Sequence, residues 1–498
     1  MEHRPGGRGR LFGPEPGRQV PKRGDIDHRP AWVQDAVFYQ IFPDRFARSE
    51  RVPKPGRLEE WDSPPTRHGY KGGDLLGIVE HLDWIAGLGA TALYLNPIFQ
   101  SASNHRYHTH DYLQVDPILG GNEAFAEMLA ACHARGIRVV LDGVFNHASR
   151  GFYYFNDILE NGVGSAWLDW FIIEDLPLNA YQRDEPPNYA AWWGDHALPK
   201  LNTENPVVRE YLMGVAEHWT RAGIDGWRLD VPADIETEGF WEEMRRRVRA
   251  INPDIYLVGE IWDDATEWVV DGTRFDGVMN YPITEAIIRF AAHGNIDEAI
   301  VEPVNLTLTP PLDAAGYGAA VDAHLQRYPW EAHLCNLNLL GSHDTARVRS
   351  MMAGDEASVR LAVVLMLTFP GTPSIYYADE IGMNGAHDPG SRAGFPWERP
   401  GEWDSGLLEV YRSLIALRHA EAALRSGAYR RLAADGGLYA FSREDAGGGV
   451  VIAVNAGPEE GTAGLGCPVG ELLWGEGNAR DGIVTVPARS AAIWRADS

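Results

Sequence analysis

At 498 residues the chain is longer than one hydrophobic core usually supports, and it predicts roughly three structural units. A formal charge of -26 argues against nucleic acid or an anionic membrane as partner and favours a neutral ligand. The three cysteines, Cys132, Cys335 and Cys467, are too few and too widely spaced for a disulfide framework or a CxxC metal knuckle.

Residues 1–30 are rich in Gly, Pro and Arg and contain no apolar h-region, so they read as a flexible basic arm rather than a signal peptide. No stretch is apolar for the 18 residues that a membrane span needs, and a cytoplasmic location is the expectation. From residue 31, short β-runs alternate with amphipathic helical stretches. The β-runs are AVFYQIF (36–42), ATALYLN (90–96), IRVVLDG (137–143), GWRLD (226–230), IYLVGE (255–260), GVMNY (277–281), LNLLG (337–341) and PSIYYA (373–378). Gly89, Gly136 and Gly223 stand where helices should end before the next strand. The stripe Phe240, Met244, Val248, Ile251 has the period of a helix packed on a sheet. Eight such units predict an α/β fold of the (β/α)8 TIM-barrel type over 31–147 and 206–421, with its reaction site at the strand C-termini. After His147 the periodicity stops for about sixty residues, too long for a structureless loop, so 148–205 is read as a domain inserted after the third strand. Beyond residue 422, GLYAFSR, VVIAVNA and IVTVPARSAAIWR alternate with Gly-rich turns and predict a C-terminal β-sandwich over 422–498.

Four strand ends carry acids: Asp142 in LDGVFNH, Asp230 in GWRLDVPAD, Glu260 in LVGEIW and Asp344 in LLGSHDTAR. Glycosidic cleavage requires one carboxylic acid to protonate the leaving oxygen and one carboxylate to attack. Arg228 and Asp230 are i, i+2 on one strand and share a face, so the guanidinium is expected to favour the ionised carboxylate and keep Asp230 available as nucleophile. Ile261 and Trp262 after Glu260 suggest an apolar wall that disfavours the charged form, as a general acid requires. The histidines His105, His108 and His110 lack the HExxH spacing of zinc catalysis, so no metal is assigned to them.

In this order, with His147 and His343 beside them, the motifs resemble the sequence regions of the α-amylase family over nearly all of residues 31–421. The resemblance implies Asp230 as nucleophile, Glu260 as acid and base, and Asp344 as the stabiliser of the oxocarbenium-like transition state. It also implies substrate contacts from Asp142, His147, Arg228 and His343, from Tyr107 in NHRYHTHDY, and from Asp388 and Arg392 in AHDPGSR. LPKLN, with Lys200, resembles the MPKLN marker of the neopullulanase, cyclomaltodextrinase and maltogenic amylase group. YQIFPDRF and GGDLLGI point the same way, whereas VPAD after the nucleophile replaces the group's VANE. The group's N-terminal β-domain has no counterpart before the first strand. Trp192 and Trp193 are candidate stacking residues on the acceptor side.

Family relatives often bind calcium in the loop after the first strand and a later GGD. Here that loop is FARSERVPKPG, and Arg48 and Glu50 replace the family's Asn and Asp, so calcium, although compatible with the family, is not expected at the loop after the first strand, and no cofactor is assigned. The reading is a retaining α-glucan hydrolase acting on α-1,4 bonds, with α-1,6 bonds left open, in maltooligosaccharides, cyclodextrins, pullulan or starch. A transglycosylase or glucosyl isomerase of the same family, or a non-catalytic carbohydrate-binding relative, are the alternatives; monomer or weak homo-oligomer is the expected state.

Overall fold

Each of the eight apolar runs forms a strand. In the computed structural model, which describes residues 29–497 apart from 55, 183 and 303–305, they are β1 (Phe38–Ile41), β2 (Ala92–Leu95), β3 (Arg138–Gly143), β4 (Gly226–Leu229), β5 (Tyr256–Gly259), β6 (Gly277–Val278), β7 (Leu337–Leu339) and β8 (Thr372–Tyr376). The N-terminal arm expected over 1–30 lies outside the described residues, save its last two. The strands pair in parallel in the order β6-β5-β4-β3-β2-β1-β8-β7. A parallel bridge from Met279 to Leu337 joins the two ends of the sheet, closing the barrel. Burial on both faces explains the near-continuous apolar character of the runs; all four residues of β2 and of β5 are buried.

The helices end where left-handed backbone lets them turn into the next strand. Gly89 (φ 93°) and Gly223 (φ 105°) donate their N–H groups back into the last turn, a geometry with little penalty only for glycine. The helix Phe240–Ile251 buries Phe240, Met244 and Val248 against the barrel, each contributing roughly 1.5–3 kcal/mol, while its outer face carries Arg247 between Glu210 and Glu243. The sixth run is shorter than expected: Asn280 turns the chain and Pro282 starts the helix Tyr281–Ala291.

Between His147 and Asn205 isolated bridges tie Phe171 to Leu201, Ile173 to Tyr189 and Ala191 to Pro199. The segment has its own aromatic cluster, in which Tyr154 meets Trp170 at 3.8 Å and Phe155 meets Phe171 at 4.9 Å. It also holds a helix, Tyr153–Asn161, that periodicity did not predict; only Phe155 and Ile158 are buried on it, too few to mark a face. The C-terminal region forms a five-stranded and a three-stranded antiparallel sheet packed through Leu438, Val451, Ala453, Val484, Val486 and Trp494. The run IVTVPARSAAIWR is two strands, Ile483–Val486 and Ser490–Ala496, belonging to different sheets and separated by a turn with Arg489 at φ 55°.

Candidate active site

Strand register assembles the site. Asp142 on β3 lies directly opposite Arg228 on β4, so their inward side chains must meet. Arg228 Nη1 donates to Asp142 Oδ1 at 2.9 Å and Oδ2 at 3.1 Å, and to Asp230 Oδ1 at 2.8 Å. Its Nη2 lies 2.9 Å from Glu260 Oε2. One buried guanidinium therefore faces three carboxylates that come from three adjacent strands. The ladder continues into the acids themselves, since Asp230 N donates to Gly143 O at 3.1 Å and Glu260 N donates to Leu229 O at 3.0 Å.

The charge state of Asp230 differs from the sequence expectation. Burial, reinforced by the charges of Glu260 and Asp142, raises its carboxyl well above the usual range, and the opposing pull of Arg228 does not cancel them. Arg228 is a local i, i+2 neighbour visible in the sequence, whereas the two anions are brought in by other strands. Around Glu260 the structure places polar donors where the sequence suggested an apolar wall. Trp262 Nε1 donates to Oε1 at 3.0 Å and Val231 N–H to Oε2 at 3.1 Å, so the tryptophan acts here as a donor while its ring stacks 3.6 Å from that of Tyr281.

Asp344 stands on the far side, its side chain 32% exposed. Burial and then the Glu260 charge raise it to about 7, with Arg392 opposing. Next to it His343 is buried and held neutral by desolvation and by Arg392 and Arg228. Its tautomer follows from its neighbours. Gln40 Nε2 lies 3.1 Å from Nδ1 and can only donate, so Nδ1 accepts and the proton sits on Nε2. That proton faces the Tyr107 hydroxyl at 2.6 Å and Asp344 Oδ2 at 3.1 Å. Tyr107 OH donates in turn to Asp142 Oδ2 at 2.8 Å, an oxygen that also receives Tyr94 OH at 2.9 Å. The rings of Tyr107 and His343 are 5° from parallel.

Arg392 Nε donates to His343 O at 2.9 Å, and its Nη1 pairs with Asp388 Oδ1 at 3.1 Å, at the rim beside Asp344. On the opposite side His147 is buried and pushed down to about 3 by desolvation, with the Tyr107 backbone opposing, so it is neutral. Lys200 is bridged to His147 and sends Nζ to Asp234 O at 2.7 Å. Trp192 stacks at 26° on His147, and Trp193, 86% exposed, stacks at 15° on Trp192. All the sequence-predicted residues thus fall in one connected region. Sequence reasoning missed Tyr94, Gln40 and Asn96, which accepts from Gln40 and donates to Tyr107. A signal existed for Gln40, a lone polar residue in an otherwise apolar run.

The residues after β1 do not fit a calcium ion. Asp74 is fully buried, and its carboxylate accepts from Gly77 N at 2.7 Å, Ser49 N at 2.9 Å and Lys54 Nζ at 2.8 Å; the same ammonium takes Ile118 O at 2.7 Å. The Lys54 ammonium group, already bonded to two of these oxygens, would repel a hard cation there.

Residues 40–404 match the family described as alpha amylase, catalytic domain. Among curated proteins the chain is 44% identical to neopullulanase 2 of Thermoactinomyces vulgaris over 440 residues, covering 86% of this chain and 71% of that protein. It is 42% identical to a Bacillus cyclomaltodextrinase, covering 86% of this chain and 74% of the relative. Among structures, the debranching enzyme from Nostoc punctiforme superposes with a TM-score of 0.87 at 52% identity, covering 94% of this chain and 99% of that one. A cyclic maltosyl-maltose hydrolase from Arthrobacter globiformis gives 0.84 at 38% identity, covering 94% and 99%. With eight parallel strands in a closed barrel and this extent of similarity, the chain belongs to the α-amylase family of glycoside hydrolases.

Proposed function

We propose that the protein is a retaining hydrolase of α-glucans that cleaves α-1,4 and, with a branched acceptor side, α-1,6 glucosidic bonds by double displacement. The observation that carries this is the shared guanidinium: Arg228 draws Asp230 and Glu260 to one point, where a nucleophile and a proton donor act on the same bond. The Asp230 carboxylate attacks the anomeric carbon while the Glu260 proton passes to the departing oxygen. Glu260, now ionised, then takes a proton from water, whose oxygen displaces Asp230 and restores the α configuration. Asp344 stabilises the positive charge that develops on the ring, and Asp142, Tyr107, His147 and His343 hold hydroxyls. Asp388 and Arg392 serve the next donor sugar. On the acceptor side stand Lys200, Trp192 and Trp193.

The arrangement supports a division into a barrel at 31–147 and 206–421, an inserted domain at 148–205 and a C-terminal β-domain at 422–498. Among the described residues no helix is long and apolar enough to cross a membrane. A cytoplasmic monomer or weak homo-oligomer acting on maltooligosaccharides, cyclodextrins, pullulan or starch is the reading that fits, with no nucleic-acid or membrane partner. The exposed Trp193 ring favours transglycosylation as a side reaction, because a stacked acceptor sugar competes with water. Digests of maltotriose, β-cyclodextrin, pullulan and starch, followed by ion-exchange chromatography and by anomer-resolved NMR, test the proposal. Initial release of α-configured glucose or maltose is expected; β-configured product, or no turnover of any of the four, would overturn it.

A further inference from the structure

The nucleophile is followed by a turn that the backbone resists. Val231, a β-branched residue, sits in the left-handed region at φ 34°, ψ 52°, where a side chain branched at Cβ is strained and must be held by its surroundings. In that conformation its N–H points to Glu260 Oε2 at 3.1 Å. The turn Pro232–Asp234 comes next, and it is clamped from two sides. Trp241 Nε1 donates to Pro232 O at 3.1 Å from the barrel side. From the inserted segment, Trp192 Nε1 donates to Asp234 Oδ2 at 2.8 Å and Lys200 Nζ to Asp234 O at 2.7 Å. The second strained residue of the region is Trp193, at φ 50°, ψ 24°, whose ring lies on that of Trp192.

We infer that Asp234 is a positioning residue that couples the acceptor-side tryptophan pair to the acid Glu260 through the strained Val231 turn. The inference rests on the hydrolase reading above. An acceptor sugar seated on Trp193 presses the pair against His147 and Asp234, and the Asp234 contact holds the turn whose N–H fixes one oxygen of Glu260. The side chain of Asp234 is engaged by Trp192, and its carbonyl by Lys200, rather than by either catalytic carboxyl. The role of its carboxylate is that of a hydrogen-bond acceptor for one indole N–H, so an amide oxygen at the same place should serve as well.

The experiment compares two substrates on three variants. Maltotetraose fills the acceptor side and needs protonation to leave; α-maltosyl fluoride fills only the donor side and needs little. Asp234→Ala should lower kcat/KM for maltotetraose about 10-fold or more, the scale of losing one hydrogen bond to a charged acceptor, with fluoride falling by less than about 2-fold. Asp234→Asn should restore most of the loss. Trp192→Phe keeps an aromatic ring, smaller than the indole, but lacks the N–H, so it should reproduce the Asp234→Ala split even if Asp234→Ala folds poorly, and combining the two should add nothing further. Equal losses on both substrates, an Asn variant as impaired as Ala, or additive effects of the two changes would overturn the inference. Wild-type inactivity on both substrates would overturn the hydrolase reading instead, and the inference with it.

Discussion

Replacing each catalytic carboxylate by its amide separates what the two supply. In Glu260→Gln the amide oxygen must face Arg228 Nη2 and Val231 N–H, which only donate, so the NH2 group is turned toward Trp262 Nε1, another donor. The variant therefore loses the 3.0 Å bond to Trp262 as well as the acidic proton. The proton dominates: general acid catalysis is worth about 10² to 10⁴, or roughly 3–5 kcal/mol, for a poor leaving group. For α-maltosyl fluoride, which needs no such proton to depart, most of that loss should vanish in the first step. Added azide should then release an α-configured azide from the Glu260→Gln enzyme, because it attacks the β-linked intermediate from the opposite face and needs no base. In Asp230→Asn the amide oxygen still accepts from Arg228 Nη1, so the fold persists, but the covalent step is lost for both substrates. Stopped-flow fluoride release and mass spectrometry of the trapped glycosyl-enzyme are the assays. Fluoride turnover that survives Asp230→Asn but not Glu260→Gln would exchange the two roles.

Three further outcomes are expected. The acid limb of kcat/KM, measured on maltotriose from about pH 4 to 9, should lie near 7, because Asp344 at about 7 and the raised Asp230 must ionise in the free enzyme; a limb below about 5 would contradict the buried acid cluster. EDTA should leave activity and Tm unchanged, whereas Lys54→Met should cost about 3 kcal/mol in thermal or denaturant unfolding by leaving the Asp74 carboxylate with two amide donors and no directly bonded cation; a wild-type collapse reversed by calcium would refute this. Glu380, fully buried beside Tyr39 OH at 2.8 Å, is raised from 4.5 to about 7 by desolvation, so its own contribution to stability is fully present below pH 4.5 and is lost as pH rises through 7. Glu380→Gln should remove that slope, a relative gain at pH 8 on the order of 3 kcal/mol, and equal Tm differences at pH 5 and pH 8 would refute it.

The barrel was legible because parallel strands buried on both faces read as continuous apolar runs, and because helix-ending glycines precede three of them. The acids were legible because each closes a run. The electrostatics were not. Asp230 shows its i, i+2 partner Arg228 in the sequence, but the register that adds Asp142 and Glu260 to the same guanidinium belongs to the sheet. The polar wall of Glu260 was hidden for a related reason: Trp262 reads as apolar, and only its orientation reveals a donor. Contacts between distant segments were equally silent. Trp192 and Asp234 are separated by 42 positions and Lys54 and Asp74 by 20, and nothing local marks either pair. The helix Tyr153–Asn161 was missed because two buried positions are too few to establish a period.

The acid cluster also explains why the site is built on strands and strained turns rather than on loops alone. Asp142, Asp230 and Glu260 would repel one another and drift apart if free to do so, and one guanidinium cannot neutralise three buried carboxylates. What holds them is the barrel ladder, through Asp230 N on Gly143 O and Glu260 N on Leu229 O, together with fixed neutral donors: the hydroxyls of Tyr94 and Tyr107, the Trp262 indole and the Val231 N–H. Such donors stabilise charge without adding a counter-ion that a neutral sugar would have to displace. The positive charge that the reaction does require appears only on the sugar ring at the transition state. Desolvation and mutual repulsion of the buried carboxylates raise Asp142, Asp230 and Asp344 and cost stability, yet this is the arrangement that binds an oxocarbenium-like ring more strongly than the ground-state sugar.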